Sequence, residues 1–290
     1  MELEPPDFSR LRFSFRGHAH PDTARALERA CSVGELERRP VIFSHRSAAA
    51  VLGLPSVAGW PRSVELLVPK GASWRNSRGI RVHEIDYEDD EIMPWGPFFV
   101  TSAARTIADL ARGCDLMTAA VAFDAALSPA AQPWLRLVKS DVAEVLERQS
   151  LRGLSRARFA LGFADGRAAN AGESASRVVI YQLGYEIPDL QVRHFHAEGY
   201  FDVDFKWRRS ANRPRSLIGE FDGAGKYLKP EYLGSLTPGG AVLKEKRRED
   251  ILRRQDNDFA RWGWPEVRHP TSLDRILREC GLTPVRRRLI

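Results

Sequence analysis

Cysteine, methionine and long apolar runs are scarce in this chain of 290 residues. Its three cysteines, Cys31, Cys114 and Cys280, lie far apart in the sequence. They provide neither the dense pairing of a disulfide-stabilised domain nor the close spacing of a zinc site. We interpret them as buried small residues rather than reactive thiols, and we expect a cytoplasmic protein.

No stretch of the sequence stays apolar over the roughly 18 residues that a helix needs to cross a bilayer. The first ten residues, MELEPPDFSR, are acidic and differ from the basic start of a secretory signal peptide. We therefore expect no membrane partner.

A strong excess of one charge is also missing, since the formal net charge is only +6. Residues 171–290 hold 22 Lys and Arg against 17 Asp and Glu, whereas residues 1–170 hold 22 against 21. A basic C-terminal part is compatible with an anionic partner such as nucleic acid. A solvated surface explains this modest excess almost as well.

Residues 1–165 are predicted to form a mixed α/β domain with a helical tail, because both the strand and the helix periodicities of apolar residues occur there. We expect strands at 41–43, 62–71, 79–87 and 97–101, and helices at 21–32, 45–52, 102–113, 116–127, 134–149 and 154–164. The acidic segment EDDEIM at 88–93 is expected to be exposed. His45 and Arg46 begin a helix and are interpreted as structural or interface residues, because the sequence suggests no acidic partner for them.

Residues 166–290 are predicted to form a second α/β domain after the small, polar linker DGRAANAG at 165–172. The predicted order is a helix from Glu173, three strands at 187–195, 199–207 and 215–223, a long charged helix at 243–263 and a closing strand at 264–270. In the second strand, apolar residues alternate with Asp202 and Asp204, which places these two acids on one face.

Acidic residues lie near the ends of two neighbouring strands of this domain. Asp204 ends one strand and Glu220 lies near the end of the next, so their side chains converge if the strands pair. Carboxylates of this kind, with water and a substrate phosphate, bind Mg²⁺, and a metal-bound water can attack a phosphate. Lys226 can fold back across the glycines that precede it, and Glu173 can supply a further polar group.

Each of these residues also has a purely structural interpretation. The pair Asp222-Gly223 is a strong hairpin-turn signal, and Asp204 alone would be an exposed strand residue. Glu173 would be favoured by the positive end of its helix dipole. His194 and His196 share one face of a strand, which we interpret as solvated rather than metal-binding.

The order of these elements and acids resembles the PD-(D/E)XK nuclease superfamily, and within it the very-short-patch-repair-like endonuclease domains. The resemblance covers residues 170–270. It rests on Glu173, VDF at 203–205, IGEFDG at 218–223 and Lys226, followed by EKRREDILRR and GWPEVRHP.

The resemblance implies a restriction-endonuclease-like domain that hydrolyses DNA with Mg²⁺ or Mn²⁺. Asp204 and Glu220 would be metal ligands, Asp222 would add to the metal shell, and Glu173 would be an auxiliary acid. Lys226 would take the place of the catalytic lysine. The superfamily usually ends its motif with Glu-x-Lys, whereas residue 222 is Asp in this chain.

Basic residues on the long helix are candidates for contact with DNA phosphate, namely Arg247 and Arg248. The alternative is a surface rich in ion pairs, since Glu249 and Arg253 have the i,i+4 spacing of such pairs. Gln191 lies on the first strand, where related proteins often carry a polar residue.

The segments FSHRSAAAVLGLP and VTSAARTIADLAR resemble the AbiEi-type antitoxin family, which is found fused ahead of such nuclease-like domains. This resemblance covers residues 20–165 and lacks a clear winged helix-turn-helix before HPDTARAL. It implies that the N-terminal domain binds a protein partner or substrate. Two functions stay open: an endodeoxyribonuclease in defence or repair, and a non-catalytic toxin–antitoxin type regulator or nucleic-acid-binding protein on a nuclease fold.

Overall fold

The computed structural model describes residues 21–36, 40–149, 152–197, 199–211, 213–223 and 238–290, with backbone alone at 35–36 and 238–245. The chain divides into two compact units, Met1–Gly166 and Arg167–Ile290. Both units combine helices with β-sheet, so the predicted α/β class is confirmed. None of the described helices is long and apolar enough to span a membrane.

A mixed sheet lies at the centre of the first unit. Its strands are β1 (Ile42–Phe43), β2 (Val64–Val68), β3 (Ile80–Glu84), β4 (Ile92–Trp95) and β5 (Phe98–Thr101). The helices are α1 (Pro21–Leu36), α2 (His45–Leu52), α3 (Ala103–Gly113), α4 (Leu116–Leu127), α5 (Lys139–Arg148) and α6 (Leu154–Phe163). The strand order is β3-β2-β1-β5-β4, in which β1–β5 and β2–β3 are parallel pairs.

Local capping explains several of these helix bounds. Ser102 begins α3 and its hydroxyl accepts a hydrogen bond from the backbone N–H of Arg105, at 3.4 Å. Gly53 ends α2 with a φ of 82°, a left-handed conformation that glycine adopts without steric cost. Helix α5 starts at Lys139 rather than at the predicted residue 134, because residues 133–135 form a turn.

The predicted exposure of residues 88–93 is wrong for Glu91, which is 2% exposed. Its carboxylate forms an ion pair with Arg105, which is fully buried on α3 and also donates to Asp109 at 2.9 Å. An acid-rich stretch can therefore contribute one buried residue when a buried cation faces it.

The second unit contains a sheet with the order β6-β7-β8-β9. Its elements are α7 (Ala171–Gln182), β6 (Asp189–His196), β7 (Gly199–Trp207), β8 (Ser216–Phe221), α8 (Pro238–Arg253), β9 (Asn257–Trp262), α9 (Trp264–Arg268) and α10 (Pro270–Glu279). Strands β6, β7 and β8 pair antiparallel, and β9 pairs parallel to β8. The predicted order of helix, three strands, helix and strand is present.

Two elements differ from the prediction at residues 243–270. Helix α8 ends at Arg253, and the last strand is β9, inside the segment that we expected to be helical. The side chain of Asn257 ends the helix, because its amide donates to the carbonyl oxygens of Leu252 and Gln255. The segment WPEVRHP is helical rather than a strand: the Glu266 carboxylate accepts from the N–H of Gly263 at 2.7 Å.

The expected solvation of the histidines on β6 is wrong for His194, which is 7% exposed. Its Nδ1 lies 3.1 Å from Gln255 Oε1, and the Lys206 ammonium lies 3.1 Å from its Nε2. Burial lowers the pKa of His194 below its ordinary value. This histidine is therefore part of the packing between β6, β7 and the turn after α8.

Two glycines permit close packing around β8. A Cβ on Gly172 would lie 2.0 Å from Cε1 of Phe221, and a Cβ on Gly219 would lie 2.4 Å from Cη2 of Trp262. Trp262 also donates its indole N–H to the Ser176 hydroxyl at 2.8 Å. These contacts hold the first turn of α7 against the end of β8, where the acidic residues gather.

Candidate active site in the second unit

The pairing of β7 with β8 makes Asp204 and Glu220 neighbours. Phe205 lies opposite Gly219 in this antiparallel pair, so extending the register by one residue places Asp204 opposite Glu220. Side chains of directly opposed residues share a face, with Cβ atoms about 5 Å apart. Both acids are buried, at 8% and 7% exposure.

Neutral donors hold the Asp204 carboxylate. Its Oδ2 accepts a hydrogen bond from the backbone N–H of Phe221 at 2.9 Å, and its Oδ1 lies 3.4 Å from the amide nitrogen of Gln191. The backbone contact fixes the side chain across the end of β8. The alternative that Asp204 is merely an exposed strand residue is therefore wrong.

Glu173 lies in the first turn of α7 and is 1% exposed. Its carboxylate accepts hydrogen bonds from the N–H of Ala169 at 2.8 Å and from the side-chain amide of Asn170 at 2.6 Å. Asn170 also caps the helix, since its Oδ1 accepts from the N–H groups of Gly172 and Glu173. The loop before α7 thus fixes the orientation of Glu173 in addition to any helix-dipole effect.

Gln191 links two of the acids. Its amide nitrogen lies 3.0 Å from Glu173 Oε2 as well as 3.4 Å from Asp204 Oδ1. The residue has a φ of 49°, in the left-handed region that is costly for a residue with a side chain. Backbone strain of this kind persists where surrounding contacts hold it in place, and here it directs the amide between the carboxylates.

Arg248 of α8 is a cation that contacts one of these acids. Its guanidinium donates to Glu220 Oε1 at 2.8 Å and to the backbone carbonyl of Asp202 at 2.9 Å. It also lies over the ring of Phe201, 5.7 Å from the centroid. Arg247, the other predicted phosphate contact, is exposed on the same helix.

Asp222 and Lys226 are the two remaining predicted site residues. Asp222 directly follows β8 and is half-buried, and its N–H donates to the carbonyl of Trp262 at 2.8 Å. The next described strand is β9, which runs parallel to β8, so Asp222-Gly223 does not join an antiparallel hairpin within the described part of the chain. Lys226 lies outside the described residues.

The chemistry of these donors suits a hard divalent cation, because carboxylate oxygens are its preferred ligands. In the described ranges, no group of three or more His, Cys, Asp or Glu could hold a metal ion by itself. Mg²⁺ commonly uses only one or two carboxylates and completes its coordination with water and substrate phosphate. The pair of Asp204 and Glu220 therefore supplies as many carboxylates as a Mg²⁺ site usually uses.

No protein-family model matches the chain. Two uncharacterized proteins of Mycobacterium tuberculosis, from strains CDC 1551 / Oshkosh and ATCC 25618 / H37Rv, are each 37% identical to it over 183 residues. The matched region is 62% of this chain and 57% of each relative, so the chain spans less than two thirds of their length. Their names state no activity.

Proposed function

We propose that the second unit is a metal-dependent nuclease domain that hydrolyses DNA phosphodiester bonds. The observation that carries the proposal is the buried pairing of Asp204 with Glu220 on adjacent strands, joined to Glu173 through the amide of Gln191. Burying two carboxylates side by side costs free energy unless a cation or a shared proton offsets their charge, and such pairs are common at functional sites. Their order along the chain is that of the restriction-endonuclease-like fold that the sequence resembles.

In this proposal Asp204 and Glu220 would be the direct ligands of Mg²⁺ or Mn²⁺, and Asp222, just after β8, would add to the metal shell through a bound water. When bound by these residues, the ion would supply a Lewis acid for the scissile phosphate and for an attacking water. The Phe221 N–H orients Asp204 by its hydrogen bond, and the Gln191 amide lies between the carboxylates of Glu173 and Asp204. Lys226 is proposed to stabilise negative charge on the phosphate.

The arginines of α8 supply the proposed contact with the DNA backbone. Arg248 neutralises Glu220 in the structure and would exchange this partner for a phosphate oxygen when metal and DNA bind. Arg247, exposed one residue earlier, would contact a neighbouring phosphate. The proposed setting is the cytoplasm, with a protein partner bound by the first unit.

A plasmid-nicking assay with Mg²⁺ or Mn²⁺ tests the nuclease. We expect cleavage by the full chain and at least about a hundredfold loss in Asp204→Asn and in Glu220→Gln, since each removes a metal-binding charge. Asp202→Asn is the matched control, because this acid lies on the same strand but is exposed and pairs with Arg193. Cleavage that survives both substitutions at the buried acids would refute the assignment.

The ion pair between Arg248 and Glu220 favours a second candidate, a non-catalytic regulator of toxin–antitoxin type that uses a nuclease fold to bind nucleic acid. A permanent Arg248–Glu220 pair would keep a metal ion out. Calorimetric titration of the full chain and of Arg248→Gln with Mn²⁺ separates the two. The nuclease requires Mn²⁺ binding that tightens several-fold in Arg248→Gln. Absence of Mn²⁺ binding in both proteins, with DNA binding retained, would establish the regulator instead.

A further inference from the structure

A polar cavity of about 440 Å³ lies in the first unit, separate from the acidic residues of the second. Residues of α2, β2, β3 and α3 form its wall, and Arg152 lines it from the start of the segment before α6. A volume of this size accommodates a small molecule. The question is which chemistry the wall would recognise.

Two histidines stack in this wall. The rings of His45 and His83 are parallel within 13°, with centroids 3.5 Å apart. His83 Nε2 lies 3.4 Å from Glu65 Oε1, and His45 Nδ1 lies 4.0 Å from Asp109 Oδ2. The expectation that His45 and Arg46 lack an acidic partner is therefore wrong, since Arg46 also donates its N–H to Glu65 at 2.8 Å.

The backbone of His45 adds a second observation. Its φ of 49° lies in the left-handed region, at the first residue of α2. A conformation of this kind costs free energy in a residue with a side chain and is concentrated at functional sites. It directs the buried imidazole onto His83 instead of along the helix surface.

The carboxylates of the wall are engaged within the wall itself. Asp109 is 1% exposed, and its oxygens accept from Arg105 at 2.9 Å and from Arg112 at 3.3 Å. Glu65, 6% exposed, faces His83 and lies 3.8 Å from the Arg81 guanidinium. Their negative charges are thus offset by neighbours rather than presented to the cavity.

Cations outnumber acids around the cavity, where Arg46, Arg81, Arg112 and Arg152 line it together with two carboxylates. Burial is the main influence on the protonation of the His45 imidazole. Burial, and then the nearby His83 and the guanidinium groups of Arg105 and Arg112, hold its pKa well below the ordinary value against the opposing effect of Glu65. The case for an anion therefore rests on the four guanidinium groups that line the cavity, because burial by itself disfavours a charge of either sign.

We propose that this cavity binds a small phosphate monoester, such as a nucleoside monophosphate or free phosphate, through the guanidinium groups of Arg46, Arg81 and Arg152. Guanidinium forms paired, charge-assisted hydrogen bonds with phosphate oxygens. A phosphate dianion can use several such groups at once, whereas a carboxylate is satisfied by one. Arg112 is a positioning residue, because its guanidinium already bonds Asp109 and Gln149.

Calorimetric titration of the full chain with inorganic phosphate, adenosine monophosphate and adenosine tests this site. We expect saturable binding of the two phosphates at millimolar or lower concentration and none of adenosine. The double variant Arg81→Gln, Arg152→Gln should weaken binding by about a hundredfold, because each lost hydrogen bond to a charged group contributes about tenfold. Both arginines are exposed at the rim, so the fold should tolerate the changes.

The matched control is Arg158→Gln, which removes an exposed guanidinium from α6 outside the cavity wall and should leave affinity unchanged. The imidazole NMR signals of His45 and His83 should shift on phosphate binding in the wild type and in this control. Equal loss of affinity in the control and the double variant would overturn the proposal, as would equal binding of adenosine. Binding of oligonucleotides without binding of either small phosphate would overturn it too.

Discussion

Buried carboxylates occur in both units of the chain, and the groups that face them differ. In the first unit, Glu91 and Asp109 share the buried guanidinium of Arg105. In the second unit, Glu173 and Asp204 face backbone N–H groups and neutral side-chain amides. The first arrangement places a guanidinium between two acids, although burial still raises the pKa of Asp109. The second fixes the orientation of its acids through neutral donors.

The contrast distinguishes a structural cluster from a candidate functional one. An acid paired with a buried cation needs nothing further, and removing either partner is destabilising. Carboxylates that lie close together repel one another and gain from an additional cation, which is the property of a metal site. Arg248 adds a positive charge at Glu220, on the strand next to that of Asp204.

Replacement of Arg105 by methionine is the most severe challenge to this comparison. The substitution leaves Glu91 and Asp109 buried without their shared cation, so the free energy of unfolding should fall by about 3–5 kcal/mol. Urea denaturation of the full chain measures the change. Arg148→Met is the control, because its ion pair with Asp90 is exposed and should contribute less than about 1 kcal/mol. Equal effects of the two substitutions would remove the basis of the comparison.

The pH dependence of stability examines the buried environment of His45. Because burial and nearby cations lower its folded-state pKa, the unfolded chain takes up a proton more readily than the folded chain. The contribution of neutral His45 is therefore complete above the unfolded pKa of about 6.5 and is lost as the pH falls below it. His45→Asn, chosen because Asn tolerates a positive φ, should flatten this loss between about pH 7.5 and about pH 5.5.

Urea denaturation at several pH values measures the effect, and the difference between wild type and His45→Asn isolates this residue from other titrating groups. The opposite sign, with wild-type stability rising relative to the variant as the pH falls, would show that the acids of the wall dominate the local field instead.

The smallest effect is expected from Asp204→Asn. The amide oxygen can still accept from the Phe221 N–H, and one of the repelling charges is removed. The free energy of unfolding should stay the same or rise by up to about 1 kcal/mol, as is common when a functional residue is neutralised. Asp109→Asn is the counterpart in the first unit and should be destabilising, because it leaves Arg105 with one acid. A clear loss of stability in Asp204→Asn would make its role structural.

Local patterns in the sequence predict much of the fold. The alternation around Asp202 and Asp204 gives β7, and Gly53 and Ser102 mark helix ends where the structure has them. The prediction for residues 257–268 is wrong because Phe259 and Trp262, three residues apart, match a helical spacing, whereas in β9 they lie on opposite faces of the strand. Only the capping side chains of Asn257 and Glu266 decide between the two.

Such local patterns do not predict contacts between residues that are distant in the sequence. Glu91 looks exposed until Arg105 is placed beside it, and Arg248 looks like one of many surface cations until it meets Glu220, 28 residues away. The candidate acids themselves follow from their order along the chain. The link through Gln191 depends on a left-handed backbone at a residue type that rarely adopts it, so no sequence rule predicts its geometry.

The contact between Gly172 and Phe221 has a consequence for how the second unit can vary. Glu173 follows Gly172 in α7. Because Gly172 has no Cβ, α7 can pack closely against β8, the strand that carries Glu220. The size of the side chain at position 172 therefore affects the distance between α7 and β8. Gly172→Ala should therefore move the first turn of α7, and Glu173 with it, away from β8 without altering any acid.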